Sequence, residues 1–278
     1  MPIILKSAHE LDMMRRAGRV ACEILAEMRA VVAPGVTTRQ IEKVAIDQLK
    51  ARGARGLSMN YPTYRPGEGY PSPVCLSVNE EIVHGIASDR VLREGDIITL
   101  DLAAMLDGFC CDTATTVPVG RVRPAVQKLL DVTRQTLALA IANMRPGRKW
   151  TEVARLMQKH VESHGFNVVR EYVGHGVGRN MHEDPKIPNY VTPEQLRNDF
   201  TLRPGMTLAI EPMVVMGSVE VEMLDDGWTV VTRDRQPSAH FEHTVAMTAT
   251  GADILTDGRS PAPAAPAAGK TGDGGERA

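Results

Sequence analysis

Residues 92–101 read LREGDIITLD and residues 202–211 read LRPGMTLAIE. The two stretches align without a gap as Leu-Arg-x-Gly, an apolar run and then an acid, so Asp101 and Glu211 occupy equivalent places. A short run rich in Ile, Leu and Thr after a glycine turn reads as a buried strand. Carrying an uncompensated carboxylate into the interior is costly. Two acids at matching positions therefore point to a shared purpose.

The match extends upstream. PGVTTRQIEKVAIDQLKARG (34–53) corresponds in length and pattern to PGRKWTEVARLMQKHVESHG (146–165), with Ile41, Val44, Ala45 and Leu49 answered by Val153, Leu156, Met157 and Val161. That spacing is one apolar helix face. Before the first copy, Leu11, Met14, Ala17, Ala21, Ile24, Leu25 and Met28 form another helical stripe, opened by Ser7 and Glu10 at capping-box spacing. Residues 122–144 supply its counterpart. The strand copies lie 110 residues apart and the helix copies 112, nearly one offset. A duplicated helix-helix-strand unit predicts an α+β fold of two halves, about 9–120 and 121–256, related by a pseudo-twofold axis, with joined sheets and helices outside. One domain then spans 1–258. The remainder, 259–278, is rich in Pro, Ala and Gly, has little other apolar material, and is expected to be disordered.

The duplication also gathers acids. Asp107-Gly108 after Asp101 is a hairpin signal, and the returning strand carries Asp112, so the hairpin is expected to set Asp101 beside Asp112. In the second half a longer excursion follows Glu211 before AHFEHTVAM (239–247) brings Glu242 to the place of Asp112. Four converging carboxylates repel one another and take up protons unless cations balance them. Two divalent ions would do so, and a histidine would favour transition metals. The best histidine is His175 in EYVGHGVGRNMHEDP (171–185), where Gly174, Gly176 and Gly178 are expected to leave its ring accessible. His182 stands seven residues on, and His84 lies in SVNEEIVHGIA (77–87). The glycine spacing does not match a dinucleotide-binding turn.

A formal net charge of -2 provides no basic excess for nucleic acid or an anionic membrane, so direct binding to either is not expected. The N-terminal MPIILK is too short in apolar residues for a signal peptide, and no run approaches a membrane span, which suggests a cytoplasmic protein. Cys22, Cys75, Cys110 and Cys111 show no CxxC pairing and read as reduced thiols.

SVNEEIVHGI, GDIITLD with Asp112 eleven residues on, GHGVGRNMHEDP, PGMTLAIEPM, DGWTV and FEHTV stand in an order and spacing that resemble the type I methionine aminopeptidases, from about Ile4 to Thr256. The resemblance implies the pita-bread fold and assigns Asp101, Asp112, His175, Glu211 and Glu242 as ligands of two divalent ions, drawn from Co, Mn, Fe, Zn or Ni. It implies that Glu211 accepts a proton, that His182 stabilises the oxyanion and that His84 contacts the peptide nitrogen. It also implies a methionine pocket of Tyr70, Cys75, Met181 and Trp228. The implied activity is removal of initiator methionine from nascent polypeptides with a small second residue, by a monomer, with the ribosome as a further candidate partner. Cys111 stands where the family usually has glycine, His240 where glutamine is usual and Met181 where an aromatic is common, and NYPTYRPGEGYPSPVC (60–75) is unusual. His240, two residues before Glu242, is expected to share its face and to hydrogen-bond a coordinating carboxylate. The alternatives are an X-Pro aminopeptidase, whose usual extra N-terminal domain has no room before Ile4, and a noncatalytic pita-bread binding protein, which would have lost ligands.

Overall fold

Ser7 and Glu10 form the capping box that their spacing predicts, and the helix they open, α1, runs Ala8–Ala30 in the computed structural model, which describes residues 2–62 and 69–259. The segment from residue 260 onward, expected to be disordered, lies outside the described residues. Every member of the α1 stripe is buried except Leu11, which is partly buried. Helix α2, Thr38–Ala51, starts from a Thr37–Gln40 capping box. In the second half come α3, Pro124–Asn143, with proline in its first turn where the missing N–H is harmless, and α4, Trp150–Ser163.

The duplication survives in the backbone. Gly35 and Gly147, the glycines of the two Pro-Gly corners, have φ of 92° and 86°. Their N–H groups donate to Leu92 O (2.8 Å) and Leu202 O (2.9 Å), while Leu92 and Leu202 donate back to Val36 O and Arg148 O at 2.8 Å each. Both Leu-Arg-x-Gly copies are thus tied by the same pair of bonds to the corner that precedes a helix. Each then turns through a left-handed glycine, Gly95 (φ 93°) or Gly205 (φ 89°), that a residue with a side chain would adopt only with strain.

Beyond those turns the described residues build a nine-stranded antiparallel sheet. Its longest part is the hairpin Ile97–Leu106/Phe109–Pro118, closed by Asp107 and Gly108 at φ 50° and 80°. Two consecutive positive φ values are what the right-handed strand twist asks of a two-residue turn. Strand Glu242–Met247 joins the halves, pairing with Phe109–Pro118 on one side and Thr207–Ile210 on the other. Separate cores lie behind the two halves: Ile24 of α1, Ile41 of α2 and Leu100 meet in one, and Leu137 of α3, Val153 of α4 and Ile210 in the other. Burying each such side chain contributes about 1.5–3 kcal/mol. The helices thereby occupy one side of the sheet. Among the described residues no helix is long and apolar enough to cross a membrane.

Candidate metal centre

Strand register decides which side chains share the sheet's other face. Asp101 lies opposite Cys75 and Ala114, and Asp112 lies opposite Ala103. Opposed residues project to the same side and so do alternate residues along a strand, so Asp101 and Asp112 are diagonal neighbours on one face, not directly side by side. Glu242 opposes Ala114, Thr244 opposes Ala209, and Ala209 opposes His175. Glu242 and His175 therefore join that face, and Glu211, two residues past Ala209, leaves its strand toward it. Cys111 alternates away. Its thiol donates to Met14 O at 2.9 Å, against α1, so this departure from the family pattern packs behind the sheet.

On the shared face the ligand atoms of Asp112, His175 and Glu242 lie within 4.8 Å of one another. His175 Nε2 is 3.7 Å from Glu211 Oε1 and 3.9 Å from Asp112 Oδ2. His175 Nδ1 is 2.8 Å from Gly176 O. A carbonyl only accepts, so the proton sits on Nδ1 and the Nε2 lone pair faces the acids, an arrangement that repels their ionised forms unless a cation lies between them. Asp112 Oδ1, Glu242 Oε1 and both ring nitrogens of His240 are buried with no hydrogen-bond partner among the described residues. Burial pushes the Asp112 carboxyl up to about 7. It holds Asp101, Glu211 and Glu242 well above the usual carboxylate range, and the Asp112 charge adds to the rise at each. Burial, then the neighbouring His182, lowers His175 to about 4, so its imidazole is neutral. Carboxylates that resist ionisation around a neutral imidazole lone pair form a donor set that fits divalent cations.

These groups line a cavity of about 210 Å³, which also takes in Tyr70, Cys75, His84, Met181, His182 and Trp228. His84 turns into it at φ 60°, and Gly85 follows because a Cβ there would lie 2.4 Å from Leu76 O. Tyr70 fixes that turn by donating its hydroxyl to Gly85 O at 2.7 Å. Its ring meets Trp228 edge-on at 5.2 Å. The His182 ring packs edge-on against His175 at 4.3 Å. Its loop is held by Glu183, which accepts the Arg179 and Asn180 N–H groups (3.0 and 3.2 Å) and pairs with buried Lys6 at 2.6 Å.

Two expectations are corrected in detail. The glycines around His175 do not open space. A Cβ on Gly174 or Gly176 would lie 2.3 Å from Ala209 O or Asp184 O, so the glycines let adjacent backbones close in. His240 and Glu242 are not on one continuous strand. The chain breaks at Phe241, with Ser238–His240 in a three-stranded sheet beside Met213–Val215 and Glu242 opening the large sheet. His240 still reaches the acids, with Nε2 3.8 Å from Glu211 Oε2 and 4.0 Å from Glu242 Oε2, beyond hydrogen-bonding distance.

The cavity wall also includes Ser58, Tyr61, Val83, Ala103, Tyr172 and Val173, which sequence reasoning passed over. Ala103 follows from alternation after Asp101. Tyr172 stands three residues before His175, and its ring meets His84 edge-on at 5.6 Å. Tyr61 belongs to the unusual stretch 60–75, of which residues 63–68 lie outside the described residues.

The profile of metallopeptidase family M24 matches residues 12–249. Methionine aminopeptidase 1 of Bacillus subtilis (strain 168) is 45% identical over 254 residues, covering 91% of this chain and 99% of the relative. Methionine aminopeptidase of Escherichia coli (strain K12) is 40% identical over 258 residues, covering 92% and 94%. Among solved structures, methionine aminopeptidase from Thermotoga maritima superposes with a TM-score of 0.85 at 42% identity, covering 92% of this chain and 99% of that one. The prolidase from Pyrococcus horikoshii OT3 superposes at 0.72 but is 20% identical and is covered over only 64% of its length, a likeness of fold alone. The fold common to these structures is the pita-bread fold.

Proposed function

Because the chain belongs to metallopeptidase family M24, and within it to the methionine aminopeptidases, we propose that it removes N-terminal methionine from new polypeptides whose second residue is small. The observation that carries this reading is the one-faced donor set with unpaired buried oxygens and the His175 lone pair turned toward two carboxylates. Asp101, Asp112, His175, Glu211 and Glu242 would hold two divalent ions, which when bound supply positive charge that offsets the acids and makes water more acidic. The residues of the chain do the rest. Glu211, in contact with His175 and open to the cavity, takes the proton from the attacking water. His182 donates a hydrogen bond to the carbonyl oxygen as negative charge develops there. His84, turned into the cavity by its left-handed backbone, contacts the peptide nitrogen that leaves as the amine. Tyr70, Cys75, Met181 and Trp228 form the apolar wall for the methionine side chain.

The number and identity of the divalent ions, a monomeric state, a cytoplasmic location and docking on the ribosome belong to the same proposal. The deciding experiment compares Met-Ala-Ser, Met-Leu-Ser and Ala-Pro-Ala as substrates for protein loaded with Mn or Co. Met-Ala-Ser should be cleaved in preference to both others, and Glu211→Gln should abolish turnover. Full activity after exhaustive chelation, or preferential cleavage of Ala-Pro-Ala, would overturn the reading.

A further inference from the structure

The Tyr61 hydroxyl lies 2.8 Å from Nδ1 of His182. The rings meet edge-on, with centroids 5.4 Å apart. A phenol O–H is the stronger acid of the two groups and a neutral imidazole nitrogen the stronger base, so the hydroxyl donates and Nδ1 accepts. The ring proton of neutral His182 then resides on Nε2, across the ring from Tyr61. With His175 packed on the same imidazole at 4.3 Å, His182 is contacted by two aromatic rings.

Tyr61 is itself placed by the backbone. Asn60 takes φ 60° and donates its N–H to Tyr70 O at 2.8 Å, and Tyr70 donates its N–H to Tyr61 O at 3.0 Å. Tyr70 is only 2% exposed and is anchored through its hydroxyl to Gly85 O, so this neck rests on a fixed residue. Tyr61 is 37% exposed, and its phenol can receive hydrogen bonds from water while it donates inward.

We propose that Tyr61 is a positioning residue that holds His182 in the form protonated on Nε2, so that His182 meets the scissile carbonyl as a hydrogen-bond donor. The proposal rests on the methionine aminopeptidase reading for the second half of that statement only. Without the phenol, the His182 ring can turn over or exchange tautomers, and only part of the population presents a donor to the substrate.

Two measurements test it. In long-range ¹H–¹⁵N spectra of the metal-free full-length protein, His182 should show a protonated Nε2 and a hydrogen-bonded Nδ1, and the Nδ1 resonance should move in Tyr61→Phe. A protonated Nδ1 in the parent, or an unmoved resonance in the variant, overturns the assignment whatever the protein's activity. In hydrolysis of Met-Ala-Ser, Tyr61→Phe should lower kcat roughly tenfold with little change in KM, the scale of one lost hydrogen bond. That loss should vanish in a His182→Ala background, because Tyr61 acts through His182. An equal loss in both backgrounds, or no loss in the parent, overturns the positioning role. Failure of the parent to cleave Met-Ala-Ser at all would sink the functional reading instead and leave the spectra to decide the hydrogen bond.

Discussion

His240 illustrates how much a single residue can depend on its neighbours. Both ring nitrogens are buried without a hydrogen-bond partner among the described residues, and burial, with His84 nearby, lowers its pKa to about 3, so the ring is neutral. A neutral imidazole has one N–H to give, and carboxylate oxygens of Glu211 and Glu242 lie 3.8 and 4.0 Å from its Nε2. A small shift would make the bond and hold in place a carboxylate of the proposed metal centre. His240→Gln keeps a donor and should retain cation affinity, whereas His240→Ala should weaken it about tenfold or more. Calorimetric titration with Mn or Co reads this directly; an alanine variant that binds as tightly as the parent would remove His240 from the centre. Asp101 and Glu211 were legible because each closes the apolar run of a repeated Leu-Arg-x-Gly pattern, although Asp101 lies in mid-strand and Glu211 just beyond one. Tyr61 was not, because its partner His182 is 121 residues away and the contact depends on a left-handed Asn60 that no periodicity announces.

Helices, the tight hairpin and the Pro-Gly corners were legible because each is specified locally, by apolar spacing, capping pairs and turn residues. The sheet change at Phe241 was not, since alternation continues in sequence while the backbone passes from one sheet to another. Glycine is the other case in which the element decides the meaning of the residue. Gly18 lies within α1, where Gly→Ala ordinarily stabilises by about 1 kcal/mol. Here a Cβ would lie 2.2 Å from Leu255 O and 3.3 Å from Cys111 Sγ. Gly18→Ala should therefore destabilise the protein by roughly 1–3 kcal/mol, and a urea midpoint at or above the parent's would show that α1 can retreat from the sheet. The strap from Lys6 to the His182 loop is a second element-scale device. Lys6 and Glu183 form an ion pair with side chains 4% and 6% exposed. Removing one partner leaves a buried charge alone, so Lys6→Met should cost about 3–5 kcal/mol, and adding Glu183→Gln should recover part of it. Equal stability of the single and double variants would mean that the Glu183 charge finds other compensation.

At the scale of the whole molecule, joining two halves concentrates acids at the seam, and their titration should be visible in global stability. In the metal-free protein the Asp112 carboxyl rises to about 7, and Asp101, Glu211 and Glu242 stand well above their usual range. An acid whose folded pKa exceeds its unfolded value, about 4, stabilises the fold fully below the unfolded value and loses that contribution as pH climbs through the folded one. The buried histidines run the other way. His84 and His175 are lowered to about 4 and His240 to about 3, so their contribution is complete above the unfolded value of about 6.5 and is lost as pH falls through the folded ones. The two sets oppose each other in mild acid, but above pH about 6.5 the histidine contribution is saturated while the carboxyl loss continues. Stability of the metal-free protein should therefore fall between pH of about 6.5 and 8. Divalent ions bind the ionised carboxylates, so loading with Mn should stabilise increasingly over the same interval. Thermal melts of chelated and loaded protein test the sign, and the difference from Asp112→Asn isolates the centre from the rest of the molecule. If the chelated parent and Asp112→Asn show the same pH slope above 6.5, the acids are not held in a strained, proton-retaining cluster, and the case for cations as their required counter-charge loses its electrostatic basis.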